Sequence, residues 1–253
     1  ATARRREAAG RNRRAGGAGR RGGPGEAGET GAMTSFTEAL FEQRLVAILR
    51  AAAPSPLVEV ALALVDGGVR CLEITLPSPG SLDAVRELTG KLGDEVSVGM
   101  GTVLDATEVR RAADAGATFV VSPDHNPEVV AAATGLGLGA LPGAFTPTEI
   151  VAAWRGRPTA VKVFPGSVVG PEFFAAVRAP LPDIPLVATG GIGLDDAADY
   201  LASGAAAVGV GGPLLGDALR GRPDSPELAR ADALERVRAQ AAAFVRICRR
   251  VPA

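Results

Sequence analysis

From Phe36 onward, short apolar runs alternate with longer stretches in which apolar residues recur every three to four positions. The runs are Leu45–Leu49, Cys71–Leu76, Val96–Met100, Thr118–Val121, Leu138–Leu141, Ala160–Phe164, Leu186–Ala188 and Ala206–Val210. Their length and their Val, Ile and Leu content predict eight buried strands. The intervening stretches predict amphipathic helices over Leu57–Val65, Leu82–Leu92, Ala106–Ala115, Pro127–Thr134, Thr148–Trp154, Pro171–Val177, Asp195–Ala202 and Leu214–Arg220. Ser81, Asp105, Asn126, Thr146 and the Gly193-Leu194-Asp195 step precede helical patterns as starts. Gly67-Gly68, Gly116 and Gly204 follow others as left-handed caps. A final helix over Ser225–Arg249 carries apolar residues at helical spacing and reads as an outer, structural element.

Strands alternating with single helices make right-handed βαβ units on a parallel sheet. Eight units in this length favour a closed α/β barrel, a (β/α)8 TIM barrel with a C-terminal outer helix. No Gly-x-Gly-x-x-Gly follows the first strand, which counts against an open dinucleotide-binding sheet.

Composition narrows what such a barrel does. The chain has 253 residues and a net charge of −1, so no strong field draws nucleic acid or a membrane surface. Cys71 and Cys248 are the only cysteines and His125 the only histidine. That leaves no metal-ligand spacing, no disulfide framework and little for a Ser-His-Asp triad, so no metal or cofactor is expected. No apolar run reaches the length of a membrane span. Residues 1–32 hold eight Arg and three Glu, a net of +5, with almost no large apolar side chain. They read as a disordered tail, or less simply as an Arg-rich targeting or nucleic-acid-binding arm, with the folded domain over 33–253. The tail lacks the apolar stretch of a secretory signal, and a cytoplasmic location is expected.

Two lysines stand against twenty-five arginines. Lys91 falls in a polar stretch, but Lys162 falls inside an apolar strand. Burying an ammonium is costly unless it is paired or loses its proton, and a neutral lysine is a nucleophile. Glu73, flanked by apolar residues in the second strand, is its candidate partner. The two make either a structural ion pair or a nucleophile with its base. In a barrel the site lies at the C-terminal strand ends. There the chain places Thr102 after Gly99-Met100-Gly101, and Pro123 and Gly143 after the fourth and fifth runs. Gly190-Gly191 and Gly211-Gly212-Pro213 end the last two. Such glycine turns expose backbone N–H groups to an anion. His125, in the loop after the fourth run, reads as solvated rather than as a substrate contact.

These stretches carry a resemblance. Val46-Ala-Ile-Leu-Arg50, Gly67-Gly-Val-Arg-Cys-Leu-Glu73-Ile-Thr-Leu, Gly99-Met-Gly-Thr102-Val-Leu, Val121-Ser-Pro123, Leu141-Pro-Gly143, Val161-Lys162-Val-Phe-Pro-Gly and Ala188-Thr189-Gly-Gly-Ile are similar to the 2-keto-3-deoxy-6-phosphogluconate (KDPG)/4-hydroxy-2-oxoglutarate aldolase family. The resemblance runs from about Leu45 to Arg249 and implies a class I aldolase on a trimeric barrel, with pyruvate as one product. It implies that Lys162 forms a Schiff base and that Glu73 transfers protons. By the same resemblance Thr102 and Pro123 line the pyruvate end, Phe164 packs beside the lysine, and Gly190, Gly191, Gly211 and Gly212 hold a phosphate. The family's usual arginine four residues after the glutamate is Pro77 here, and Arg50 is the expected substitute. The usual serine at the last phosphate turn is replaced by Gly211-Gly212-Pro213.

Thr189 matches the gluconate-specific branch, where galactonate-specific members tend to have valine. Ser78-Pro79 and the stretch ending at Arg50 look galactonate-like. The expected substrate is therefore a phosphorylated 2-keto-3-deoxy sugar acid, KDPG ahead of its galactonate epimer or 4-hydroxy-2-oxoglutarate. Two rivals stay open: a phosphosugar isomerase or epimerase, and a catalytically silent phosphosugar-binding barrel.

Overall fold

The computed structural model describes residues 36–220 and 227–252. The tail expected over residues 1–32 lies outside the described residues, as does Met33. Eleven helices and nine strands follow Phe36 in the described chain. The strands are β1 (Leu45–Leu49), β2 (Cys71–Thr75), β3 (Ser97–Gly101), β4 (Phe119–Val121), β5 (Gly139–Leu141), β6 (Gly143–Ala144), β7 (Val161–Val163), β8 (Leu186–Thr189) and β9 (Ala207–Val210). All pairings are parallel, in the order β5-β4-β3-β2-β1-β9-β8-β7-β6.

The two edges of that sheet are halves of one strand. Pro142 separates β5 from β6 because it has no N–H to give the ladder. Its carbonyl still accepts from Lys162 N at 2.9 Å, between Thr159 N to Ala140 O at 3.0 Å and Phe164 N to Ala144 O at 3.0 Å. The ladder therefore runs unbroken from β4 through residues 139–144 to β7, and the barrel closes with eight strands in effect. The fifth apolar run ends one proline short of its full strand.

Eight of the helices fill the βα connections: α2 (Leu57–Asp66), α3 (Ser81–Leu92), α4 (Ala106–Asp114), α5 (Pro127–Gly135), α6 (Pro147–Trp154), α8 (Pro171–Arg178), α9 (Leu194–Ala202) and the short α10 (Gly212–Leu215). Asp105 caps α4 by accepting from Glu108 N, Asn126 caps α5, and Thr146 with Glu149 makes a capping box on α6. Ser81 is the first residue of α3 rather than its cap. Gly68, Gly116 and Gly204 adopt positive φ as caps do, whereas Gly67 stays right-handed and admits Ala241 of the last helix, α11 (Glu227–Arg250). The helix expected over Leu214–Arg220 is shorter: α10 is one turn and ends at Gly216, whose φ of 56° no longer suits a helix. A further turn, α7 (Gly166–Val169), precedes α8.

One element was not foreseen. The helix α1 (Phe36–Gln43) closes the barrel end where the strands begin. Phe36 stacks on Phe119 with ring centroids 4.0 Å apart. The ring occupies space that Gly139 leaves by having no side chain. Leu40 is fully buried in the same cluster as Val46, Cys71, Val187 and Ala207, all inward-facing strand residues. Gln43 ties the helix to the second unit, donating to Gly68 O at 2.7 Å and accepting from Arg70 N at 2.6 Å. The outer core lies between strands and helices and includes α11, through Val237, Ala241, Phe244 and Cys248.

Candidate active site

Residues of a parallel strand alternate between barrel interior and helix layer. On β2 this alternation turns Cys71, Glu73 and Thr75 inward. On β7 it turns Lys162 inward, between Val161 and Val163, which join the outer core. Glu73 is 2% exposed and Lys162 6%. Both line one cavity of about 650 Å³ at the C-terminal ends of the strands. No ion pair within 4.0 Å joins them, so the closed structural salt bridge is not the arrangement here. Both side chains border the same open space.

Electrostatics favour neutral forms of both groups. Burial lowers the Lys162 pKa; the Glu73 charge opposes that shift and the Arg50 charge reinforces it. Burial likewise raises the Glu73 pKa, against Lys162 and Arg50. A shift in this direction favours the free amine over the ammonium. The Phe164 ring centroid lies 5.1 Å from Lys162 Nζ, beside the lysine as the resemblance implies.

Glycine makes room for the Glu73 side chain. Gly101 on β3 pairs with Thr75, and a methyl group on it would overlap the Glu73 carboxyl group. Gly209 on β9 faces Thr189, where a Cβ would come within 2.7 Å of its Oγ1. Gly190, with φ at 96°, lets the Phe164 ring lie within 3.1 Å of where its Cβ would be. The β7 and β8 loops interlock: Ser167 N donates to Gly190 O at 3.0 Å, and Tyr200 Oη donates to Gly166 O at 3.2 Å.

Arg50 also lines the cavity, and its Nη2 donates to Thr102 Oγ1 at 3.2 Å. Thr102 holds φ at 61°, unusual for a β-branched residue, and the strained turn aims its hydroxyl at Arg50. Behind Arg50, Ala51 N donates to Ser78 Oγ at 3.0 Å, and Ser78 shares a hydrogen bond of 2.8 Å with Thr75. Pro77 itself is exposed.

Of the residues singled out from the sequence, Lys162, Glu73, Arg50, Phe164, Thr189, Gly190, Gly191, Gly211 and Gly212 share the cavity wall. Thr102 reaches the site through Arg50, and Pro123 stands outside the wall, its carbonyl lying where a Gly143 side chain would be. His125 is not on the wall either; its Nδ1 is buried without a partner among the described residues. Gly209, Ile48 and Arg220 carry no site role in the sequence reading, and Gly101 appears there only as part of the Gly99-Met100-Gly101 strand end. For the two glycines a signal existed: the alternation that turns Glu73 inward turns them inward too. Among the described residues no cluster of three metal-ligating side chains occurs, and no helix is long and apolar enough to cross a membrane.

Residues 36–230 match the family described as KDPG and KHG aldolase. A probable 2-dehydro-3-deoxy-6-phosphogalactonate aldolase of Rhizobium meliloti (strain 1021) is 38% identical over 174 residues, covering 68% of this chain and 82% of the relative. A 2-dehydro-3-deoxy-phosphogluconate aldolase of Treponema pallidum (strain Nichols) is 36% identical over 171 residues, 67% of this chain and 81% of the relative. A solved structure described as native KDPGal is 33% identical and superposes with a TM-score of 0.72, covering 82% of this chain and 95% of that one.

Proposed function

The chain belongs to the KDPG and KHG aldolase family, and from that premise we propose that it cleaves KDPG to pyruvate and glyceraldehyde 3-phosphate through a Schiff base on Lys162. One observation carries this reading: a single buried lysine with a depressed pKa shares its cavity with a buried carboxyl group and is not tied to it. Neutral Lys162 Nζ attacks the C2 ketone. Glu73 relays protons through the carbinolamine, which loses water to give an iminium. The Glu73 carboxylate then takes the proton of the C4 hydroxyl. The C3–C4 bond breaks, its electron pair enters the iminium, and the aldehyde leaves. The resulting enamine is protonated at C3, and water releases pyruvate and restores the lysine. Arg50 holds the C1 carboxylate beside the two groups it influences electrostatically.

Thr189 supports the gluconate epimer, its hydroxyl lying on the cavity wall beside Gly209. The galactonate epimer is the second reading, favoured by the Rhizobium relative. Leu104 and Phe145, in the loops after β3 and β6, are 49% and 38% exposed, and Val168, in α7 after β7, is 69% exposed. They supply apolar surface for the homotrimer that belongs to this reading.

The test is borohydride reduction in the presence of pyruvate. A single pyruvyl adduct is expected on Lys162, located by peptide mass. The trapping rate should climb with pH through the depressed lysine pKa and level off below where an ordinary lysine titrates. Absence of an adduct, or an adduct on Lys91, overturns the mechanism. Turnover of the two epimers side by side then separates the substrate readings.

A further inference from the structure

We infer that Arg220 is the specificity-determining cation that selects a phosphorylated aldehyde portion of the substrate. This rests on the aldolase reading above and names a residue that neither the resemblance nor the strand-end motifs indicate.

The cavity wall carries three cationic side chains, Arg50, Lys162 and Arg220, and one acidic one, Glu73. Arg50 perturbs both Glu73 and Lys162, so it sits at the reaction centre. Arg220 lines the same cavity from the turn that follows α10, beside Leu219 and on the side of Gly211, Gly212 and Pro213. Two permanent cations on one cavity wall match a substrate with a carboxylate at one terminus and a phosphoryl group at the other.

The backbone near Arg220 is short of what a phosphoryl dianion needs. Gly191 and Gly212 offer N–H groups with no protein acceptor among the described residues, and Gly212 opens onto free space. Pro213 has no N–H, and α10 has only four residues. Two amides donate hydrogen bonds without supplying net charge. Arg220 supplies it, and it forms no ion pair among the described residues. Arg220 also borders an adjoining groove lined by Asp217 and Asp232; Asp217 is engaged by Arg236 at 3.4 Å, and neither acid pairs with Arg220 among the described residues. The chain just before Arg220 is pinned to the cavity: Ser55 Oγ bonds Leu219 O at 2.7 Å, and Arg220 N donates to Asp217 O at 2.8 Å. The guanidinium thus starts from an anchored backbone, with no hydrogen-bond partner for its donors among the described residues.

The experiment uses the condensation direction, which does not depend on the C4 epimer formed. Pyruvate is condensed with D-glyceraldehyde 3-phosphate and, separately, with unphosphorylated D-glyceraldehyde, by the full chain and by Arg220→Ala, Arg220→Gln and Arg220→Lys. The preference is the ratio of kcat/KM for the two aldehydes. A charge-assisted contact on a partly solvated rim predicts a fall of about tenfold or more in Ala and Gln, carried by KM, and recovery of most of it in Lys. An unchanged ratio in Ala and Gln overturns the assignment, as does an equal loss on both aldehydes. Borohydride trapping with pyruvate is run on every variant. If the unaltered chain is not trapped, the aldolase reading fails and Arg220 with it; if it is trapped while the ratio holds, only Arg220 fails.

Discussion

The two ends of the barrel interior are built from the same alternating inward positions and come out opposite. Where the strands begin, Val46, Cys71, Phe119 and Val187 fill the space, and Phe36 and Leu40 of α1 close it. Where the strands end, Gly101 and Gly209 make room for the Glu73 and Thr189 side chains, which with Lys162 line a cavity of about 650 Å³. A large side chain stands on the strand beside a glycine at both ends. Phe119 covers Gly99 at the closed end, as Glu73 covers Gly101 at the open one. The difference lies in what the large side chain is. An aromatic ring completes a dry plug, whereas a carboxyl group in the same kind of niche has its pKa raised by burial and lines the cavity. The plugged end and the open end are therefore separable by substitution.

The largest effect belongs to the nucleophile. Lys162→Arg keeps a positive charge but cannot form an imine, so pyruvate release and borohydride trapping should both vanish while the melting curve stays cooperative. Retained pyruvate release in this variant would dissolve the distinction between the two ends. Next, Glu73→Gln should lower kcat by about 10²–10⁴-fold and slow trapping as well, through loss of proton transfer. A change of only a few fold would reduce Glu73 to a packing partner of Lys162.

Substituting the plug tests the converse. Phe36→Ala removes a ring stacked at 4.0 Å on Phe119, so a stability loss of about 3 kcal/mol is expected. In a barrel of this size that lowers Tm by roughly 6–12 °C. Per-molecule kcat/KM at moderate temperature should hold, and a proportional loss of activity would mean that the closed end shapes the open one. The smallest effect falls on Arg50→Ala. Loss of a charge-assisted hydrogen bond worth about 1.5–3 kcal/mol should cut kcat/KM roughly 10- to 150-fold, with little change in Tm. Steady-state kinetics beside a melting curve distinguish this from a rim arginine that only rests on Thr102.

Much of this was legible before the chain was folded. The 2.0 and 3.6 periods marked the strands and the helices between them, and Lys162 and Glu73 stood out because charged groups are rare in apolar runs. α1 was not legible as a plug. Its eight residues look like any short amphipathic helix, and only the stack of Phe36 on Phe119, 83 positions away, gives it a place. The Leu214–Arg220 helix was overextended because Gly216 looks tolerable in a pattern, while its positive φ ends the turn. Pro123 reads as a strand-end residue by position, yet its carbonyl, not its ring, meets the neighbouring strand at Gly143.

By itself the sequence determined the barrel, its alternating faces and the two ionisable side chains placed where water is scarce. These follow from local periodicity and from the cost of burying charge, both properties of short stretches. Only the tertiary structure decided that Glu73 and Lys162 share a cavity without closing on each other, that glycines three strands apart make the room, and that Arg220 reaches the same wall as Arg50. Barrel closure sets those distances, because it brings residues 170 positions apart in the chain to one mouth. No local pattern encodes which of them will face each other across it.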